Sequence, residues 1–318
     1  MRFAVEAWAP DYGVSSEVDL DVSTQAIDVD IEVPGGRWAP IAPAAELAEQ
    51  PARLLFVDGV RRVDARIWIE NGASSVAGLC ATIAAGVVRV EGSRAQVIDA
   101  RVVRGVFGHG VAITSIATSC GVYEARQVAG DTPEALVIAV QDRMAALEIE
   151  ATEAAGDADI VVVDGPLRGR GHVLVAVGYV KTQHTQYLPA PVDVVVGQLA
   201  AGERTPLFAI GGPWTRFSWY ARLPGPRTHA LAGIVRCEVG GDGEVGAARR
   251  LADQLTARLP RFASRPHKDS RAPQNLYPIA GLERELRRRL GDPALVERAL
   301  RVAAHRLAAV GRPGTTPH

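Results

Sequence analysis

The sequence predicts an α/β fold: a mixed central sheet flanked by helices, with an additional β-rich N-terminal segment. Three observations predict it. Two short apolar runs, Leu54-Leu-Phe-Val57 and Ile160-Val-Val-Val163, carry no polar alternation, as strands buried on both faces require. Stretches with period-two alternation and β-branched residues fill the region from about residue 63 to 106. Helical periodicity then sets in after residue 133 and returns beyond 246.

The totals narrow the class. A chain of 318 residues can bury a full core, as one large domain or two modest ones. No apolar run approaches the roughly 18 residues of a membrane span. Met1-Arg-Phe-Ala-Val-Glu6 lacks the basic-then-apolar layout of a secretory leader, so a cytoplasmic location is expected. Cys80, Cys120 and Cys237 are few and far apart, which argues against a disulfide framework or a cysteine zinc site. Net charge is −1, but it is unevenly spread. Residues 1–50 hold two arginines against ten acids, whereas residues 249–312 hold fifteen basic side chains against six acids. The basic region is a candidate surface for phosphate backbones, set against its ordinary use as a solvated helix face.

In chain order, residues 1–45 read as an acidic, β-rich arm, with alternation over Ala26–Val33 and a turn at Pro34-Gly-Gly36. Its acidity suits a protein partner better than nucleic acid. Leu54–Val57 is the first buried strand and should leave the core at Asp58-Gly59. Val63–Ile69, Val76–Val90 and Gln96–Val106 follow as an antiparallel meander, which Val111–Ile116 extends. Thr132-Pro133 starts a helix whose buried stripe is Leu136, Val140, Met144, Leu147 and Ala151. Glu148 and Glu150 flank that stripe by about 80° on either side, so the geometry leaves both open. The second buried strand ends in Asp164-Gly165, and Gly171–Val180 is a further strand ending in Lys181. Thr205–Ile210, Phe217–Leu223 and Leu231–Val239 read as strands and Gly246–Leu259 as a helix. Pro260–Pro273 reads as a basic, irregular loop near substrate, where Lys268 and Arg271 are candidate phosphate contacts. Two more helices follow, Ala280–Leu290 and one capped by Asp292-Pro293, before a frayed tail at 311–318. The expected organisation is therefore an arm (1–45), one main domain (46–310) and that tail.

The chemistry is carried by acids at strand ends. Asp58-Gly59 and Asp164-Gly165 each follow a buried strand, and each can also be a simple turn, as at Asp242-Gly243. Antiparallel strands, a helix and a further strand with acids at sheet edges describe the ribonuclease H-like plan, in which acids hold two divalent cations for phosphodiester cleavage. Hard carboxylate oxygens suit Mg²⁺ or Mn²⁺.

Several separated stretches are similar to the NurA nuclease family: Phe56-Val-Asp-Gly59, Leu147-Glu-Ile-Glu150, Asp159–Leu167, Gly178-Tyr-Val-Lys181, Ser218–Leu223 and Pro273-Gln-Asn-Leu-Tyr-Pro-Ile279. Val5-Glu-Ala-Trp-Ala-Pro10 resembles bacterial members. The resemblance implies a ribonuclease H-like, Mn²⁺-dependent DNA nuclease, a 5′-to-3′ exonuclease and single-strand endonuclease. It further implies a dimer working with a hexameric HerA-type ATPase in end resection and double-strand break repair. By motif, Asp58, Glu148 and Asp164 would be metal ligands, with Glu150 the second choice for the helical acid. Tyr277 would position substrate or water, and Lys181 would contact phosphate.

Two positions depart from the family pattern. Val60 stands where Asp-Gly is often followed by serine, removing a hydroxyl. Glu283 and Glu285 occupy the region where a histidine often follows the tyrosine. A glutamate can ligate a metal but cannot donate as an imidazolium. His267 is the nearby histidine that could substitute. The competing expectations are a catalytically weak DNA-end or ATPase-binding module of the same fold and a sugar or acetate kinase-like protein. The last should show two similar halves and glycine-rich phosphate loops, and neither is clear in the sequence.

Overall fold

A computed structural model describes residues 25–71, 74–110, 113–167, 175–182, 185–212 and 214–310. The first elements are β1 (Ile27–Asp28), α1 (Glu46–Glu49), β2 (Arg53–Asn71), β3 (Ser74–Glu91) and β4 (Arg94–Gly108). β5 (Ile116–Thr118), β6 (Gly121–Gln127), α2 (Pro133–Ala154), β7 (Ile160–Asp164) and β8 (Ala176–Val180) follow. Next come α3 (Val194–Gln198), β9 (Phe208–Ile210), β10 (Arg216–Arg222), β11 (Ile234–Gly240), α4 (Val245–Arg258), α5 (Tyr277–Arg289) and α6 (Pro293–Val310). The chain forms two compact units. The first draws its described residues from Met1–Val57, Val88–Gln96 and Gly156–Gly281, the second from Asp58–Val87, Val97–Ala155 and Leu282–His318.

In the first unit the strand order is β1-β9-β10-β11-β8-β7 and then the opening residues of β2. β2 and β7 run parallel, Leu54 opposite Ile160 through Val57 opposite Val163, and β8 lies parallel on the other side of β7. β11, β10, β9 and β1 continue antiparallel, giving the mixed sheet the sequence predicts. The four-residue runs of β2 and β7 are buried throughout, as their lack of alternation requires. Phe56 meets Phe262 edge-on at 5.0 Å, and Phe208 stacks on Tyr220 at 5.8 Å between ring centroids. Around that stack, Ile27, Val29 and Trp38 pack against Leu188, Val196 and Leu199.

The acidic segment before residue 45 is tied into this unit. The fully buried Arg204 guanidinium donates to both Glu32 carboxylate oxygens at 2.8 Å, and its Nε donates to Asp253 at 2.7 Å. Within Ala26–Val33, only Ile27–Asp28 is strand. Asp28 Oδ1 accepts the Asp30 N–H, and Asp30 Oδ1 accepts the Gly35 N–H. Such side-chain bonds to nearby backbone compete with a strand ladder and curl the segment. The part of the arm before residue 25 lies outside the described residues, as does the tail from 311.

The second unit orders the remainder of β2 beside β3, β4, β6 and β5. β6 is parallel to β4 and antiparallel to β5. On one face, Leu79, Ala81, Ile83 and Ala85 of β3 meet Leu136, Val140 and Leu147 of α2. On the other, Cys80, Val106 and Tyr123 meet Val296 and Leu300 of α6. Burial pushes the Cys80 thiol up to about 12, with the Asp64 charge adding to it, so it is no nucleophile near neutral pH. Among the described residues the three cysteines are free.

Helix starts follow the sequence. Thr132 Oγ1 accepts the Ala135 N–H at 3.1 Å, and Asp292 Oδ1 accepts from Ala294 and Leu295. Thr132→Ala is expected to cost about 1 kcal/mol, read as a lower urea midpoint at unchanged slope. An unchanged midpoint would remove the cap from the account of α2.

Three expectations need correction. β2 does not end at Asp58-Gly59 but continues as strand to Asn71. Its alternation is also reversed at first, because Val63 is exposed and the Asp64 side chain is buried. Asp64 accepts from Arg62, Thr82 and Tyr123, so its charge is compensated inside the unit. In the stretch Val111–Ile116, the described residues join a strand only at Ile116, while β6 was not anticipated. Among the described residues, no helix is long and apolar enough to cross a membrane.

Candidate functional site

In the first unit, chemistry collects where β7 ends. Asp164 is the last residue of that strand, and Gly165 turns the chain with φ +92°, a conformation that favours glycine. β8 lies in register beside it, with Tyr179 opposite Asp164, so Lys181 emerges just past the same edge. Lys181 is buried, and its Nζ donates to Asp164 Oδ2 at 2.7 Å and to Asn275 Oδ1 at 3.0 Å. Asn275 Nδ2 in turn donates to Asp269 Oδ2 at 2.7 Å. Burial pushes the Asp269 carboxyl up, but the Arg271 N–H, Asn275 and the Arg271 charge outweigh it and hold the group below its ordinary value.

The loop that carries these groups is built from turns. Lys268 and Asp269 donate backbone N–H groups to Arg265 O, and Asn275 donates to Arg271 O. Gln274 Nε2 bonds Lys181 O at 2.8 Å and Ile234 O at 3.0 Å, and Tyr179 Oη donates to Gln274 O at 2.8 Å. Lys268, exposed, stands over the Tyr277 ring at 5.8 Å. Arg271 is half-buried, and His267 is exposed. Lys181 is therefore not an open phosphate contact in this arrangement; its ammonium is already committed to Asp164 and Asn275.

In the second unit, Asp58 and Glu148 are both buried. Asp58 Oδ1 accepts the Gly59 N–H at 2.8 Å. The α2 face that carries Met144 and Glu148 comes so close to β2 that a Cβ on Gly59 would collide with the Glu148 carboxylate and lie 2.8 Å from Met144 Cγ. Gly59 is thus a close-approach glycine within a strand rather than a turn. Gly59→Ala is expected to displace Glu148 and cost about 1–3 kcal/mol, read by thermal unfolding. A variant as stable as the wild type would contradict this packing. Glu150, the other candidate, is exposed and paired with Arg143 at 2.7 Å, so Glu148 is the buried acid of the two. Glu283 and Glu285 are engaged along α5, with Arg287 and with Arg288 and Arg289.

Carboxylate oxygens of these types suit a hard divalent cation. Among the described residues, however, no group of three or more His, Cys, Asp or Glu side chains is placed to hold one. A separate cleft of about 630 Å³ opens at the other end of β7, lined by Arg53, Arg258, Arg261, Glu91 and Asp159. Its arginines are bonded to Glu91 and to the carbonyls of Gln50, Gly92 and Asp157, so it presents no ready anion site.

Solved structures similar to this chain include two nucleases. One is the NurA nuclease from Sulfolobus solfataricus, at 11% identity and a TM-score of 0.46, over 88% of this chain and 89% of that one. The other is the catalytic domain of human Endonuclease V, at 16% identity and a TM-score of 0.31, over 77% and 87%. No protein-family model and no curated protein sequence matches the chain.

Sequence reasoning named Asp58, Glu148, Asp164 and Lys181 but passed over Asn275 and Asp269. Asn275 lies inside Pro273-Gln-Asn-Leu-Tyr, a stretch read for its tyrosine. It stands beside a second amide, Gln274, so no lone polar residue among apolar ones marks it in the sequence.

Proposed function

We propose that this chain is a divalent-metal-dependent DNA nuclease of the ribonuclease H-like type; by the motif resemblance, Asp58, Glu148 and Asp164 would each be a carboxylate ligand for Mn²⁺ or Mg²⁺. The observation that carries the reading is the in-register parallel pair of Leu54–Val57 and Ile160–Val163, each run followed in the chain by Asp-Gly. Cations held by these carboxylates would supply activation of a water and stabilisation of the leaving oxygen. Lys181 orients the Asp164 carboxylate, and the missing side chain at Gly59 lets Glu148 approach β2. Tyr277 orients substrate or water, and Lys268 and Arg271 contact the phosphate backbone.

The same proposal includes 5′-to-3′ exonuclease and single-strand endonuclease activity, homodimerisation, a HerA-type hexameric ATPase partner and a cytoplasmic role in DNA end repair. These parts rest on the resemblance of the motifs. A second reading, a DNA-end or ATPase-binding module without efficient chemistry, is favoured by Val60 and by Glu283 and Glu285, which stand where the family pattern often has a serine and a histidine. Incubating labelled single- and double-stranded DNA with the protein, Mn²⁺ and the ATPase, with and without EDTA, separates the two. EDTA-sensitive cleavage supports the nuclease. Binding to DNA ends with no cleavage under any of these conditions supports the module.

A further inference from the structure

We propose that Asn275, anchored by Asp269, is a positioning residue that aims the Lys181 ammonium at Asp164. The inference rests on the nuclease reading for its catalytic part only. Asn275 is fully buried, and its amide is used at both ends. Nδ2 donates to Asp269 Oδ2, and Oδ1 accepts from Lys181 Nζ.

The direction of the amide is dictated by charge. Asp269 is a carboxylate, held by the Arg271 N–H at 2.8 Å, and can only accept. Asn275 must therefore turn its NH₂ toward Asp269, which leaves its oxygen facing Lys181. The result is a fixed order of carboxylate, amide, ammonium and carboxylate from Asp269 to Asp164. A neutral amide is well suited to the middle place. It accepts one ammonium proton without a second full negative charge, so the Lys181 charge remains directed at Asp164. A buried lysine without such a guide would lose both a partner and a unique rotamer.

The chain has only two lysines, Lys181 and Lys268, so its lysine spectrum can be assigned by inspection. Protein labelled with ¹³Cε/¹⁵Nζ lysine is compared with Asn275→Ala and Asp269→Asn. The wild type is expected to show a distinct, exchange-protected Lys181 ammonium, and Asn275→Ala to lose it while the Lys268 signal stays. With DNA and Mn²⁺, Asn275→Ala is expected to lower kcat about ten- to a hundredfold at nearly unchanged KM. Asp269→Asn, which keeps the amide but removes the charge that orients it, is expected to lower kcat several-fold. Should Asn275→Ala fail to fold, Asp269→Asn alone decides by the same two readouts. An unchanged Lys181 signal overturns the inference, as does an unchanged kcat in a folded variant. Lack of cleavage by the wild type counts against the nuclease reading instead, and the lysine spectrum still decides whether Asn275 anchors Lys181.

Discussion

Asp58→Ala and Asp164→Ala are each expected to lower Mn²⁺-dependent DNA cleavage by on the order of a thousandfold. A metal-holding carboxylate supports several kcal/mol of transition-state stabilisation, and every 1.4 kcal/mol or so is tenfold in rate. The two variants differ in what they do to the fold. Asp58 sits within a strand that continues to Asn71, so truncation there leaves the ladder in place. Asp164→Ala removes a partner 2.7 Å from the buried Lys181 ammonium, and a stranded buried charge is costly. Asp164→Asn is the cleaner probe. Its amide oxygen can still accept from Lys181, while the negative charge a cation needs is gone. Both substitutions should be read together with thermal unfolding. Cleavage at wild-type rates by folded Asp58→Ala and Asp164→Asn would sink the proposed site.

The largest expected effect on stability is at Arg204. Its side chain is fully buried against Glu32 and Asp253, and Arg204→Met leaves the Glu32 carboxylate without its main counter-charge. Breaking one side of such a buried pair typically costs about 3–5 kcal/mol. The loss should depend on pH. In the wild type, burial alone would raise the Glu32 pKa, but bonding and attraction from Arg204, the Leu207 N–H and the Arg249 charge bring it below 4.5. A depressed carboxylate contributes stability that is present above the unfolded pKa and is lost as pH falls through the lower folded value. Without Arg204 the burial effect dominates, and the variant gains from protonation of Glu32. The gap between wild type and variant is thus expected to be widest near neutral pH and to narrow below about pH 4.5. Urea unfolding at pH 7 and pH 4 measures it, and an equal gap at both would show that Glu32 is not the group responsible.

The β2–β7 pair was legible because unbroken apolar runs have few alternatives, and α2 because Thr132-Pro133 and its stripe agree. What misled was the meaning of Gly59. An Asp-Gly step reads as a turn, yet here the glycine makes room for the Glu148 carboxylate inside a continuing strand. Alternation likewise fixed two faces around Val63 and Asp64 but not which was inner, since only the partners Thr82 and Tyr123, far along the chain, make a buried Asp64 tolerable. The acids on 1–45 read as a surface for a partner, because no local pattern shows that Glu32 is matched to Arg204, 172 residues away. Glu148 and Glu150 were equivalent by helical angle, and only packing against β2 and the Arg143 pair distinguished them. Long-range polar partners of this kind leave no periodicity to read.

Mn²⁺ binding, followed by electron paramagnetic resonance in the presence of uncleavable phosphorothioate DNA, tests Asp58, Glu148 and Asp164 as ligands without relying on turnover. Saturable binding is expected for the wild type, weakened at least tenfold in Asp58→Ala, Glu148→Gln and Asp164→Asn, with Glu150→Gln unaffected. Identical Mn²⁺ binding by the wild type and all three carboxylate variants would contradict that assignment.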